Sequence, residues 1–300
     1  MISFHCIALV TYLPGTQFDE MALNVDRLLG HQFTELRQSY SQRDAILYAL
    51  GLGLGQDPTD KSDLTYLLET KLRVLPSYAV TLASPGMWIR DPAFGVDFTR
   101  LVHAEQDATF HRTLPNEGSV VATPRIAGLW DRGESRGAIL IVERTVIDAT
   151  SREAYATIRQ MLLLRGNGGF GGNPQPAAQR RHSVLTDPDD VVDVQTSPRA
   201  ALIYRLSGDW NPLHADPDAA TRAGFARPIL HGLASYGIAA RTISRLVGRE
   251  LAQFSCRFSA VVLPGDTLTF RIWRQMDTQL AFEAMVGDRK VLDRGFARFA

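Results

Sequence analysis

The chain has 300 residues, 45% of them apolar, and its 32 lysines and arginines equal its 32 aspartates and glutamates. This balance, without any basic run, argues against a nucleic-acid partner, and no apolar run reaches the ~18 residues of a membrane span. The length allows two domains that each bury a core. The two cysteines, Cys6 and Cys256, lie far apart, which favours free thiols in a reducing compartment.

Residues 1–20 stand apart as a leader of uncertain status. Residues 4–12 are apolar, but the stretch is short and has neither a positive amino-terminal region nor a convincing cleavage site. A secretory signal is therefore not predicted, and no function is assigned to these residues.

The first half of the chain predicts one helix and then a meander of strands. Residues 39–55 read as a helix, because Ser41 and Asp44 approximate a capping box and three glycines end the segment. Residues 63–69 and 74–83 suggest short strands or connections. Strand-like segments separated by turn residues follow at 101–114, 120–130, 138–147 and 155–164. This order predicts an α+β domain.

Residues 166–190 are rich in glycine, proline and glutamine and read as an interdomain linker. Three of the glycines match a dinucleotide-binding fingerprint, but that motif must open a helix, and Pro174 and Pro176 forbid one. The charges at 187–193 are interpreted as the solvated end of the linker.

The second half predicts helices at 197–206, 217–223 and 229–247, the last of which is long and mostly apolar. Strands are expected at 253–263, 267–276, 280–286 and 290–299. This pattern is typical of one long helix held in a curved antiparallel sheet.

A short polar motif lies in this half, in the sequence Ser-Gly-Asp-Trp-Asn-Pro-Leu-His at 207–214. It places the carboxylate of Asp209, the carboxamide of Asn211 and the imidazole of His214 within six residues, on a turn set by Gly208 and Pro212. Two interpretations remain open from the residues alone. The polar groups could cap their own backbone, or the apolar flanks could turn the loop toward a cleft that carries chemistry.

The string Tyr-Arg-Leu-Ser-Gly-Asp-Trp-Asn-Pro-Leu-His at 204–214, with Pro-Ile-Leu-His-Gly at 228–232, resembles the signature of the R-specific 2-enoyl-CoA hydratases, the hydratase 2 branch of the MaoC-like hot-dog family. The segment at 42–51 resembles the opening helix of their amino-terminal half. The resemblance covers nearly the whole chain after Met21. It implies a double hot-dog, in which two antiparallel sheets each wrap around a long helix.

The resemblance also implies a division of labour. Residues 21–165 are expected to form a non-catalytic hot-dog that binds the acyl chain and coenzyme A, and residues 191–300 the catalytic hot-dog. The implied enzyme is a hydro-lyase that adds water to trans-2-enoyl-CoA to give the (3R)-3-hydroxyacyl-CoA, reversibly. In it Asp209 and His214 share one water, Asn211 orients that water, and the N–H of Gly232 holds the thioester oxygen.

Gly232 suits that task because a residue without a side chain at a helix start exposes an unpaired N–H. Close helix packing is the alternative explanation for this glycine. His231 could line the pocket or pair with a buried carbonyl, and we favour the second.

Family positions expected to contact substrate are His103, Ala104, Arg132, Trp210, Pro212, Leu213 and Phe258. Ala104 replaces a usual glycine, and Arg132 replaces a usual lysine that could meet a coenzyme A phosphate. For Phe258, a core phenylalanine is the commoner explanation.

No metal is expected, because His214, Asp216 and His231 fit no compact ligand motif, and no cofactor beyond the substrate's coenzyme A. A homodimer is expected because hot-dog sheets generally pair, and a cytoplasmic location is expected because residues 298–300 are no peroxisomal address. Two alternatives stay open: a MaoC-like dehydratase of a branched or dicarboxylic hydroxyacyl-CoA, and a non-catalytic acyl-CoA-binding subunit. The complete set of Asp209, Asn211 and His214 argues against the second.

Overall fold

The computed structural model describes residues 22–172 and 187–300, so the predicted leader and most of the predicted linker lie outside the described residues. The α-helices are α1 (Val25–Leu29), α2 (Gln42–Gly51), α3 (Lys61–Leu64), α4 (Ala200–Tyr204), α5 (Pro217–Arg222) and α6 (Gly232–Val247). Short 3-10 helices occur at Pro76–Thr81, Trp88–Arg90, Pro92–Phe94, Phe98–Arg100, Arg205–Ser207 and Pro212–His214. The strands are β1 (Leu36–Tyr40), β2 (Leu101–Phe110), β3 (Gly118–Ala122), β4 (Arg125–Asp131), β5 (Ala138–Asp148), β6 (Ala154–Leu164), β7 (Asp190–Gln195), β8 (Leu251–Phe258), β9 (Thr267–Met276), β10 (Gln279–Val286) and β11 (Arg289–Phe299).

The eleven strands of the described residues form one antiparallel sheet in the order β1-β3-β5-β6-β2-β8-β11-β10-β9-β7, with β4 also paired to β5. The two halves of the chain meet at the centre, where β2 and β8 pair from Glu105 opposite Arg257 to Thr109 opposite Gln253. The predicted α+β architecture is confirmed, and its two halves share a single continuous sheet.

The carboxy-terminal half wraps around α6, which packs against β8, β11 and β2. Nine of its residues are buried, and the hydroxyl of Tyr236 donates to the carbonyl of Phe254 at 2.9 Å. The helix ends at Gly248 in the left-handed conformation, as expected for a glycine cap. Because each large apolar side chain buried this way contributes about 1.5–3 kcal/mol, α6 anchors this half.

In the amino-terminal half the longest helix among the described residues is α2, with 10 residues. Its predicted capping box is confirmed, since the N–H of Ser41 donates to Asp44 Oδ2 at 2.8 Å. The 3-10 helix Pro76–Thr81 lies against β2, β6 and α6. The buried Arg144 donates to the carbonyls of Val80 at 2.6 Å and Leu82 at 3.2 Å, and burial lowers the pKa of Arg144 to about 10.

Contacts outside the sheet also join the halves. A Cβ on Gly51 of α2 would lie 2.9 Å from the Cα of Tyr204 in α4, so only glycine allows this approach. The buried carboxylate of Asp63 pairs with Arg241 of α6 and accepts the N–H of Gly55 at 3.1 Å. The predicted domain boundaries stay a prediction.

Residues 63–69 and 74–83, expected as short strands or connections, are connections that contain turns and a 3-10 helix. The structure corrects two other expectations. The single strand expected at 120–130 is divided into β3 and β4, because Pro124 between them cannot donate to a ladder. The interpretation of 187–193 as a solvated linker end is wrong, since β7 pairs there with β9 and Asp190 forms an ion pair with Arg274.

None of the helices in the described parts of the chain combines the length and the apolar character that a bilayer crossing requires.

Candidate active site

The polar motif forms a tight loop between α4 and α5. Gly208 closes the preceding 3-10 turn with φ of 112°, a conformation that favours glycine. Asp209 Oδ1 accepts the N–H of Asn211 at 3.2 Å, and Asn211 Oδ1 accepts the N–H of Leu213 at 3.2 Å. The groups therefore cap their own backbone as the simpler interpretation predicted, and the caps set the course of the loop that leads to His214.

His214 is buried at the end of this loop, and its Nδ1 lies 2.9 Å from the carbonyl oxygen of Ile229. A carbonyl can only accept, so Nδ1 carries the hydrogen, and Nε2 keeps its lone pair in the neutral ring. Burial lowers the pKa of His214, although the carboxylate of Asp209 and the bond to Ile229 act in the opposite direction. His214 is thus a neutral imidazole with one basic nitrogen.

The exposed carboxylate of Asp209 lies beside that ring. One of its oxygens and a ring nitrogen of His214 are no more than 4.8 Å apart. Two hydrogen bonds of about 2.8 Å through one water span up to about 5.5 Å, so a single water fits between two such atoms. An acid and an imidazole at this distance can hold a water and exchange protons with it.

His231 completes the group, because its ring stacks on that of His214 with centroids 3.7 Å apart and planes 25° apart. Its Nε2 lies 3.2 Å from the backbone oxygen of Asp209. The expected pairing of His231 with a carbonyl is present, and the same side chain also lies against the predicted catalytic imidazole. Sequence reasoning missed this stacking; the only signal was the position of His231 directly before Gly232.

Asp209, His214 and His231 are three groups of the kind that hold metal ions. Each ring, however, uses one nitrogen for a backbone carbonyl. Because the rings are stacked, an ion about 2.0–2.1 Å from one nitrogen and in the plane of its ring would lie well out of the plane of the other. The pair is arranged for stacking and not for chelation; the absence of a metal stays a prediction.

Gly232 begins α6, where the first N–H groups lack helical acceptors, and no side chain caps this helix. A Cβ on Gly232 would meet the ring of Phe258 at 3.5 Å, an ordinary contact, so close packing does not require glycine here. Phe258 in turn packs edge-on against His103, with ring centroids 5.1 Å apart. Burial lowers the pKa of His103 to about 4. Gly232, Phe258 and His103 therefore form a contact between the two halves.

The β2–β8 ladder ends at Glu105 and Arg257, and His103 and Phe258 lie just beyond it. Ala104 lies at a shift in the β2–β6 register between His103 and Glu105. The predicted substrate contacts His103, Ala104 and Phe258 are thus brought together where the two central strands separate.

The other predicted substrate contacts are placed differently. Leu213 is buried in a small cluster with Ala223 and Ile229, so it anchors the loop. Pro212 begins the 3-10 turn, and Trp210 is 57% exposed under the guanidinium of Arg205, 4.6 Å from its ring centroid. Arg132 lies in the β4–β5 turn, and its described contacts stay within that turn.

Fold and site together define a double hot-dog protein that carries an acid–imidazole pair beside a helix start. Residues 38–166 match the family model described as the MFE-2 hydratase 2 N-terminal domain, and residues 181–293 match the MaoC like domain. The chain belongs to the hydratase 2 branch of the MaoC-like hot-dog family, and the predicted hot-dog fold is confirmed.

Similar proteins cover nearly the whole chain. A protein of Arabidopsis thaliana named Enoyl-CoA hydratase 2, peroxisomal, is 37% identical over 270 residues, which are 83% of this chain and 87% of the relative. Enoyl-CoA hydratase ChsH3 of Mycobacterium tuberculosis is 34% identical over 85% of this chain and 90% of its own length. The crystal structure of a MaoC-like dehydratase from Phytophthora capsici has a TM-score of 0.78 and 28% identity, covering 93% of this chain and 99% of the other.

Proposed function

We propose that this protein is an R-specific enoyl-CoA hydratase, a hydro-lyase that interconverts trans-2-enoyl-CoA and water with (3R)-3-hydroxyacyl-CoA. The observation that carries the proposal is the separation of at most 4.8 Å between Asp209 and the buried His214, next to the start of α6. The relatives from Arabidopsis thaliana and Mycobacterium tuberculosis are both named enoyl-CoA hydratases, which supports the hydratase activity.

The water held between Asp209 and His214 donates a hydrogen to each, because both groups present lone pairs. As its oxygen bonds to the β carbon of the enoyl thioester, Nε2 of His214 takes one proton, and Asp209 stabilises the resulting imidazolium. The π electrons move to the thioester oxygen, where the N–H of Gly232 offsets the negative charge.

The imidazolium then gives its proton to the α carbon, and the thioester carbonyl re-forms. The hydroxyl and the hydrogen added across the double bond thus come from one water molecule, and both catalytic groups return to their starting state. The amide of Asn211, whose Oδ1 is already paired with the N–H of Leu213, retains its NH2 donors to orient the water.

Both halves supply substrate contacts in this proposal: His103, Ala104 and Arg132 belong to the amino-terminal half, and the other contacts belong to the carboxy-terminal half. His103, Ala104 and Phe258 line the approach to Gly232. Trp210 and Pro212 flank the water site on the loop, and the buried side chain of Leu213 anchors that loop. Arg132 contacts a coenzyme A phosphate as a second, more distant point of attachment.

We propose further that the protein works as a homodimer in the cytoplasm. The buried free thiol of Cys256 is consistent with a reducing compartment, while the Arabidopsis relative is named peroxisomal. Sedimentation at micromolar concentration tests the dimer, and fractionation of the source cells tests the location.

The decisive experiment follows the loss of enoyl-thioester absorbance with crotonyl-CoA and decenoyl-CoA and analyses the chirality of the product. Wild type is expected to give the 3R alcohol, and Asp209→Asn to lose at least about two orders of magnitude in turnover with its fold retained. Asp218→Asn, an exposed carboxylate on α5, is the matched control and keeps full activity. Unchanged turnover in Asp209→Asn would contradict the proposed chemistry.

Two further arms separate the alternatives. Tight acyl-CoA binding by an inactive wild type would favour a binding subunit, and turnover confined to branched or dicarboxylic hydroxyacyl-CoA would favour the related dehydratase. Dialysis against a chelator is expected to leave activity unchanged, because the stacked histidines are unsuited to share an ion.

A further inference from the structure

His231 lies at the residue before α6 and is 1% exposed. Its ring has neighbours on two sides: His214 stacks at 3.7 Å, and Tyr204 lies at 4.9 Å with its ring tilted by 47°. A third contact joins its Nε2 to the backbone oxygen of Asp209 at 3.2 Å. One side chain thus touches both residues assigned to the water.

The backbone of His231 meets the third catalytic element. Its carbonyl accepts the N–H groups of Ala234 at 3.1 Å and Ser235 at 3.2 Å, which begin the first turn of α6. The same peptide group carries the N–H, on Gly232, that is assigned to the thioester oxygen. Because a trans peptide is planar, its N–H points opposite to the carbonyl that these two bonds hold, and the side-chain contacts of His231 keep the residue in this place.

The hydrogen-bond partners define the state of the ring. The carbonyl of Asp209 can only accept, so Nε2 of His231 carries the hydrogen. Its Nδ1 is buried and has no partner in the part of the chain that the structure describes. Burial, and then His214, lower the pKa of His231 well below its usual value.

A neutral ring at this place suits the proposed reaction. His214 gains a proton during turnover, and a cation stacked 3.7 Å away would oppose that gain. A neutral His231 holds the imidazole without this repulsion. The unused lone pair on Nδ1 is a consequence of committing Nε2 to the carbonyl.

We propose that His231 is a positioning residue, which as a neutral ring with its hydrogen on Nε2 holds the Asp209 loop, the His214 ring and the Gly232 peptide in one arrangement. It exchanges no proton with the substrate. The inference rests on the proposed hydratase function and adds a residue whose contribution is geometric.

Three substitutions separate its contacts. His231→Gln keeps an N–H donor near the position of Nε2 and loses the stack, His231→Phe keeps the stack and loses the donor, and His231→Leu loses both. We expect kcat to fall about tenfold in each of the first two and about a hundredfold in His231→Leu, with KM changed less than about threefold, because misplacement by about 1 Å has effects of this size. His111→Leu, on the exposed surface, is the control and keeps wild-type kcat.

Two results would overturn the proposal. If His231→Gln and His231→Phe both fold but lose as much turnover as His214→Gln, the ring itself transfers protons. If His231→Leu keeps the wild-type kcat, the ring positions nothing.

A measurement without substrate keeps this test distinct from that of the proposed function. Nitrogen-15 NMR of labelled histidines is expected to show His231 with its hydrogen on Nε2 and His214 with its hydrogen on Nδ1, both neutral at pH 7. His231→Leu is expected to broaden or shift the His214 signals. A cationic His231, or one with its hydrogen on Nδ1, would overturn the proposal even in an active enzyme, whereas an inactive wild type with the expected signals would contradict only the hydratase function.

Discussion

The two halves of the sheet repeat one succession of strands but differ in what lies on the inner face. Outward from the centre the amino-terminal half runs β2-β6-β5-β3-β1 and the carboxy-terminal half β8-β11-β10-β9-β7. In each half the first strand is at the outer edge and the last strand lies next to the central one. Because both halves have this strand order, the sheet alone does not determine where a reaction takes place. That depends on the helices and loops that pack on the sheet.

The carboxy-terminal half carries a long helix whose start lies beside the Asp209 loop, while in the described part of the amino-terminal half the short 3-10 helix Pro76–Thr81 lies against the sheet. The guanidinium of Arg144 donates hydrogen bonds to the carbonyls of Val80 and Leu82, at the end of that short helix. This half contributes His103 against Phe258 of the other. The difference teaches that a free helix start, and not the sheet, distinguishes the half proposed to be catalytic from the half proposed to support it.

The largest expected effect is a loss of turnover, and it is tested by replacing one histidine in each half. His214→Gln removes the proposed base, and we expect turnover to fall at least about a hundredfold. His103→Gln alters a wall of the approach, and we expect mainly a higher KM, with kcat reduced less than about tenfold. Steady-state kinetics with decenoyl-CoA measure both. Equal losses of kcat would refute the division between the halves.

The next effect concerns the stability of the amino-terminal half. Arg144→Met leaves the carbonyls of Val80 and Leu82 without their donor, and we expect the free energy of unfolding to fall by about 2–3 kcal/mol. Arg125→Met removes an exposed pair with Glu143 on the same sheet and should cost less than about 1 kcal/mol. Urea unfolding compares the two; similar values would show that the buried arginine has no special role.

Acid should affect both halves in the same direction. Burial lowers the pKa of His103 to about 4 and those of His214 and His231 below their usual values. Because the unfolded chain takes up protons first, the stability is complete above about pH 6.5 and falls as the pH drops below it.

Activity should follow the protonation of His214 alone, with kcat/KM falling about tenfold per pH unit below a midpoint under 6.5. A pH–rate profile, with unfolding measured at the same pH values, provides the check. A midpoint above 6.5 would mean that the pKa of His214 is raised in the folded protein, contrary to the effect of burial.

The smallest expected effect is at the helix start. Gly232→Ala keeps the N–H and places a methyl group 3.5 Å from Phe258, so thermal stability should be unchanged. We expect KM to rise a few-fold, on the order of threefold, because the space between the two halves narrows at the thioester. If Gly232→Ala instead lowers the thermal stability and leaves KM unchanged, close packing would be the reason for glycine at position 232.

Strands bounded by clear turn residues could be predicted almost to the residue. β9 has its expected bounds, and β5, β6, β10 and β11 differ by one residue at one end. The edge strands β1 and β7 could not be predicted from their own residues, because they are strands through their pairing with β3 and β9. Asp190 and Asp193 look solvated in the sequence but bond to Arg274 and Thr269 across that pairing.

In the candidate site, too, local features could be predicted from the sequence and contacts between distant residues could not. The loop of Asp209, Asn211 and His214 could be located from turn chemistry, since its hydrogen bonds are local. The stacking of His231 on His214 could not, because α6 brings together residues 17 positions apart. The register shift at Ala104 likewise depends on β6 and leaves no trace in the sequence of β2 alone.

The central β2–β8 ladder makes the protein hard to divide. Across it Gln253 donates to Asp107 at 3.0 Å, and Arg294 pairs with Glu105 at 3.8 Å. A chain cut between residues 172 and 187 and expressed as separate pieces would give each fragment a second open edge, a row of unpaired backbone donors and acceptors, in addition to its outer strand. The fragments would be expected to recombine with each other or to aggregate, so co-expression is the condition under which a split form should recover.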